Sequence, residues 1–218
     1  MSATPTPPDP LHPHAKQPVL WRGASLSDAR LAVILIHGRG ASAEDILALA
    51  EQFDVEDAAY AAPQATGNSW YPHSFLAPIE GNEPGITSAL SVFTGLLTEF
   101  ARHGFSSDRI ALAGFSQGAC LALEFAARSA RRYAAVIGLS GGLIGPPGTP
   151  RDYTGSFQGT PAFLGCSDVD PHIPLERVRE SADVFRRLGA AVDERIYPRM
   201  GHTVNRDELD AVTAILKN

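Results

Sequence analysis

From residue 31 to the end of the 218-residue chain, short apolar runs take turns with longer amphipathic ones, and few folds accommodate that order. An apolar run of four to eight residues suits a strand buried on both faces, and the amphipathic run after it suits a helix that covers the sheet. Parallel strands need such crossovers. The pattern therefore predicts an α/β fold, with a mostly parallel central sheet and helices on both faces. Strands are expected at "AVILIHG" (32–38), "AAYAAP" (58–63), "RIALAGF" (109–115), "AAVIGLS" (134–140), "PAFLGC" (161–166) and "DERIYP" (193–198), with an edge strand at "PVLWRG".

The intervening runs carry helix signals. In "SAEDILALAEQF", Ser42 is a good N-cap with Asp45 three residues on. "ITSALSVFTGLLTEFARHG" closes on Gly104, suited to a left-handed C-terminal position. "QGACLALEFAARS", "LERVRESADVFRRLG" and "DELDAVTAILKN" complete the set. No repeat or linker divides the pattern, so residues 19–218 read as one domain. Residues 1–18 read as a Pro-rich flexible arm, ordered only if it docks. Two loops, 64–85 and 141–159, exceed the usual length and are candidates for the walls of a pocket.

A net charge of −6 without a basic block argues against a nucleic-acid partner. The longest apolar runs fall far short of a membrane span, and the N-terminus has neither a basic start nor an apolar h-region. Cys120 and Cys166 fall on a helix face and a strand, which suits buried thiols in a reducing cytoplasm.

"GFSQG" (114–118) stands between a predicted strand and a predicted helix. Gly-x-Ser-x-Gly at such a junction makes a sharp turn that lifts the serine out of both elements. A serine hydroxyl needs a base to take its proton and a carboxylate to orient that base. His202, in "RMGHTV" after the last strand, is the candidate base. Asp168 and Asp170 in "GCSDVDPHIP" are both candidates for the acid, and position does not separate them. An oxyanion hole takes one backbone N–H from the residue after the nucleophile, here Gln117, and one from an early loop, here Arg39 in "HGRG". Trp70, Tyr71, Phe75 and Leu76 on the first long loop can form an apolar wall for an acyl group, and His172 and Met200, beside the acid and the base, are further candidate substrate-binding residues.

"VILIHGRG", "SWY", "GFSQG", "DPHIP" and "MGH", in that order, resemble the phospholipase/carboxylesterase family of small α/β hydrolases, which includes bacterial carboxylesterases and acyl-protein thioesterases. The resemblance covers nearly all of the chain beyond the arm. It implies the α/β-hydrolase fold with no large cap domain, a Ser116–His202–Asp170 triad, and N–H donors at Arg39 and Gln117. Asp170 is singled out because "DPHIP" fits the family's Asp-x-x-(Val/Ile)-Pro pattern, which leaves Asp168 a supporting or helix-capping place. The chain departs from the family at Ala41, Pro72 and Ala119.

The implied activity is hydrolysis of short- to medium-chain carboxylic esters through an acyl-enzyme, by a cytoplasmic protein with a small-molecule substrate, no metal and no cofactor. Such folds can form homodimers over an apolar surface near the site. The alternatives are a lysophospholipase or acyl-protein thioesterase, and a catalytically silent ligand-binding relative.

Overall fold

A computed structural model describes residues 9–218. Among the described residues, seven strands form one sheet: β1 (Val19–Gly23), β2 (Leu31–Ile36), β3 (Ala58–Pro63), β4 (Ile110–Phe115), β5 (Ala135–Leu139), β6 (Pro161–Ser167) and β7 (Ala191–Tyr197). Their spatial order is β1-β3-β2-β4-β5-β6-β7. Of these strands β1 alone runs antiparallel, pairing Val19 with Pro63 at one edge. The connecting helices are α1 (Ala43–Ala50), α2 (Gly85–Arg102), α3 (Gln117–Arg128), α4 (Leu175–Arg187) and α5 (Arg206–Lys217).

Alternation along β2 shows why the sheet is covered on both faces. Ala32, Ile34 and Ile36 enter an apolar cluster with α2, α3 and α4, whereas Leu31, Val33 and Leu35 enter a second cluster with α1 and α5. Successive strand residues point to opposite faces, so a six-residue apolar run fills two cores at once. The far edge is different. Half-buried β7 carries Asp193, Glu194 and Arg195, and Arg195 pairs with Asp193 and Asp207. Charges there discourage pairing with another strand.

The helix ends follow the predicted chemistry. Ser42 and Asp45 form a capping box at α1, and Gly104, just beyond α2, has φ of 81°. Of the expected arm, 1–8 lies outside the described residues, while 9–18 docks on the body. His14 is buried there; its Nδ1 accepts from the Thr66 N–H and its Nε2–H donates to the Trp70 carbonyl. That docking is the condition under which such a segment is ordered.

In an open α/β sheet the loops beyond the strands' carboxyl ends gather at one edge. Here the turns after β2, β4, β6 and β7 meet at Ser116.

Candidate active site

Ser116 occupies a backbone conformation that an L-residue adopts only under constraint, with φ 55° and ψ −119°. Two glycines permit it. A Cβ on Gly118 would overlap the Ile36 carbonyl oxygen, and a Cβ on Gly114 would come within 2.7 Å of the Ala119 nitrogen. Strand β4 and helix α3 thus cross at bare backbone, and the serine hydroxyl is left projecting at the turn.

Its partner is His202, whose Nε2 accepts from the Ser116 hydroxyl at 2.8 Å. The Nδ1–H of the same ring donates to Asp170 Oδ2 at 2.7 Å. The Asp170 side chain is fully buried, and burial alone would raise its pKa. The hydrogen bonds from His202 and from the His172 and Ile173 N–H groups outweigh that effect and hold it below the usual carboxylate value. An ionised Asp170 can only accept, which fixes the His202 tautomer with Nε2 free toward Ser116. The Cys166 thiol also donates to Asp170 Oδ2, at 3.8 Å. Asp168 does not reach the histidine. It is exposed and accepts from the Arg199 N–H at 2.7 Å, tying the loop after β6 to the loop that carries His202. It caps no helix, because α4 begins after Pro174 without a side-chain cap.

Among the described residues, the backbone N–H groups of Arg39 and Gln117 donate to no group of the chain. Gly38 packs close enough that a Cβ on it would lie 3.3 Å from Ser116 Cβ, so the turn after β2 adjoins the serine directly.

The side chains of the same two residues do something that sequence reasoning missed. Gln117 Oε1 accepts from the Trp70 N–H and its Nε2–H donates to the Tyr71 carbonyl, both at 2.9 Å. The Arg39 guanidinium donates to the carbonyls of Pro72 and His73. Buried Asn82 accepts from the His73 N–H and donates to the Ser74 carbonyl. Three side chains therefore grip the backbone of one loop. No local pattern announces contacts between positions this far apart.

A cavity of about 540 Å³ opens beside Ser116 and is lined by Arg39, Gln117, His202 and His172 together with apolar atoms of Tyr71, Phe75, Cys120 and Ile173. Tyr71, Phe75 and His172 stand where an acyl-binding wall was expected. Three other expected residues do not. Trp70 is 1% exposed and packs against His37, with its Nε1–H on the His37 carbonyl, so it is core. Leu76 packs on the apolar core instead of the cavity. The Met200 sulfur accepts from Asn205 Nδ2, bracing the turn into α5. The 141–159 loop is also not among the lining residues. Arg151 and Arg177 hold its carbonyls, and its Gly145 N–H donates to the Phe75 carbonyl, so it supports the wall from behind.

Two buried histidines underpin this arrangement in opposite tautomers. His14 accepts at Nδ1, and His37 accepts the Ala65 N–H at Nε2 while Nδ1–H donates to the Gly38 carbonyl. Burial lowers the pKa of both below 6.5. A lowered histidine pKa means that the unfolded chain takes up protons first, so their contribution to stability is lost as pH falls below 6.5. Glu208 acts oppositely: burial raises it from 4.5 to about 7, one oxygen accepts from the Asn205 N–H, and the other has no partner. Its charge costs stability above that range, and its protonation restores some as pH falls. Glu208→Gln protein should therefore lose urea resistance more steeply than wild type between about pH 7 and 5. Equal falls in urea midpoint between the two pH values for variant and wild type would contradict this balance.

A mostly parallel sheet with a serine at a strand-to-helix elbow, and a histidine and a carboxylate supplied from later strand ends, is the α/β-hydrolase architecture. Residues 24–218 match the model of the Phospholipase/Carboxylesterase family, and the chain belongs to that family of carboxylic ester hydrolases. A crystal structure of a phospholipase/carboxylesterase from Dyadobacter fermentans is similar with a TM-score of 0.90, at 39% identity, over 93% of this chain and 97% of that one. Acyl-protein thioesterase 1 of Gibberella zeae is 32% identical over 136 residues, 61% of this chain and 57% of that protein. Acyl-protein thioesterase 1 of Neurospora crassa is 26% identical over 217 residues, 84% of each. Among the described residues no helix is long and apolar enough to cross a membrane.

Proposed function

We propose that this protein is a serine carboxylesterase that hydrolyses short- to medium-chain esters through an acyl-enzyme on Ser116. The observation that carries the reading is the continuous relay from Ser116 Oγ to His202 Nε2 at 2.8 Å and from His202 Nδ1 to Asp170 Oδ2 at 2.7 Å. In the first step Ser116 Oγ bonds to the carbonyl carbon while its proton passes to His202. The carbonyl oxygen becomes an oxyanion held by the Arg39 and Gln117 N–H groups. Collapse breaks the bond to the leaving oxygen, which takes the proton from His202. A water deprotonated by His202 then attacks the acyl group and frees the acid and Ser116.

Tyr71, Phe75 and Ile173 give the cavity a compact apolar wall suited to an acyl group of modest length. A cytoplasmic location fits Cys120 and Cys166, which are buried and unpaired, each with its pKa pushed up to about 12 chiefly by burial.

The names of the fungal relatives favour a second reading, acyl-protein thioesterase activity, and a relative from Mus musculus named lysophospholipase-like protein 1 adds lysophospholipase activity to it. Rates on p-nitrophenyl acetate, butyrate, octanoate and palmitate distinguish the two. A maximum at butyrate or octanoate is expected; a maximum at palmitate would favour the second reading. Absence of hydrolysis, with no fluorophosphonate attachment to Ser116, would remove both.

A further inference from the structure

His202 separates two cavities. One ring neighbour is His172, 4.8 Å away centroid to centroid, which lines the larger cavity. The other is Phe115, at 4.9 Å, which lines a second cavity of about 390 Å³. The second is walled by Ile46 and Leu49 of α1 and by Val204, and its lining includes Gly38, which packs beside Ser116. Leu49, Phe115 and Val204 are only partly buried, so apolar surface stays open to solvent there. The one carboxylate on its lining, Asp45, is turned to the Ser42 N–H and hydroxyl.

The reaction geometry says what such a groove would take. A tetrahedral carbon on Ser116 Oγ directs its oxyanion at the N–H pair, and its leaving oxygen must lie near His202 Nε2 to receive a proton. The acyl carbon then points away, toward Tyr71 and Phe75. The substituent on the leaving oxygen lies beside His202, and the apolar surface on the side of that ring away from Tyr71 and Phe75 is made by Gly38, Phe115, Leu49 and Val204.

We propose that this groove is a binding site for the leaving group, selecting esters of uncharged, apolar alcohols. The inference rests on the esterase reading of Ser116. Burial of alkyl surface there favours longer alcohols at a fixed acyl group, because each buried methylene contributes about 0.8 kcal/mol when fully removed from water. With no Lys or Arg on its lining, this apolar wall offers no cation to a phosphate-bearing alcohol.

The test varies the two sides of the ester separately. kcat/KM is measured for methyl, butyl and hexyl butyrate, and for methyl butyrate against methyl octanoate. Wild type should prefer hexyl over methyl butyrate by about tenfold, from partial burial of the added methylenes. Leu49→Trp, which fills the groove, should abolish that preference, leave methyl butyrate within about twofold, and leave the acyl series unchanged. Leu49→Ser, which removes the apolar wall without adding bulk, should also reduce the preference and serves if the tryptophan variant does not fold; fluorophosphonate labelling of Ser116 reports folding of both. A flat alcohol series in wild type, an unchanged hexyl-to-methyl ratio in the variants, or a shift in the acyl series would overturn the assignment. Loss of all hydrolysis and labelling in wild type would instead overturn the esterase reading itself.

Discussion

Ser116→Ala protein should fold normally and lose about 10⁶-fold in kcat toward p-nitrophenyl butyrate, the scale seen when the nucleophile of a serine triad is removed. The Cβ is retained, so the strained turn at φ 55° is neither relieved nor worsened, and melting temperature should match wild type. Only Oγ is lost, and with it the atom 2.8 Å from His202 Nε2. Because the relay acts as a unit, His202→Ala should cost about as much, and the double variant hardly more. Residual turnover above the uncatalysed rate, about 10³-fold, would come from donors that remain, including the Arg39 and Gln117 N–H groups. Retention of a tenth of the activity by Ser116→Ala would place the chemistry on another residue.

The second large effect concerns stability. Gly118→Ala should cost about 3 kcal/mol or more, lowering the melting temperature by about 6–12 °C in a chain of this size. The added methyl would overlap the Ile36 carbonyl oxygen and approach the His37 carbonyl oxygen within 2.7 Å, and backbone in a central strand cannot move aside as a side chain would. Relief would require α3 to back away from the sheet, carrying Gln117 and Ser116 with it, so activity should fall together with stability. Gly95→Ala is the control of opposite sign. Gly95 lies exposed within α2, a Cβ there meets nothing within 4 Å, and alanine should stabilise by about 0.5–1 kcal/mol. Thermal melts of the two variants decide the matter; equal shifts would mean that crowding at the elbow is not what demands glycine.

The sequence makes plain whatever depends on neighbours along the chain. Apolar runs mark the central strands β2 to β6, because a strand buried on both faces cannot hide its composition, and Ser42 with Asp45 marks the start of α1 through a three-residue relationship. Ser116 and His202 were legible for a similar reason, since each stands just beyond a strand. Asp168 and Asp170 were separable only by resemblance; both sit in the same turn, and which one faces His202 depends on how the backbone bends there. Trp70 looks like a wall in the sequence because an aromatic on a loop has the same composition whether it faces a cavity or His37. The 141–159 loop advertised its length, but the contacts of Arg151 and Arg177 that turn it into a buttress exist only in three dimensions.

The grip of Gln117, Arg39 and Asn82 on the loop around Tyr71 has a consequence for divergence within the family. All three side chains bond main-chain atoms of Trp70, Tyr71, Pro72, His73 and Ser74. Main-chain atoms are common to every residue, apart from the N–H that proline lacks, so exchanging the side chains at positions 71 and 75 leaves the fastening intact. The loop's own lining side chains can thus change without loosening the frame, and a descendant could acquire a new acyl preference by substitutions on this loop without disturbing the relay behind it.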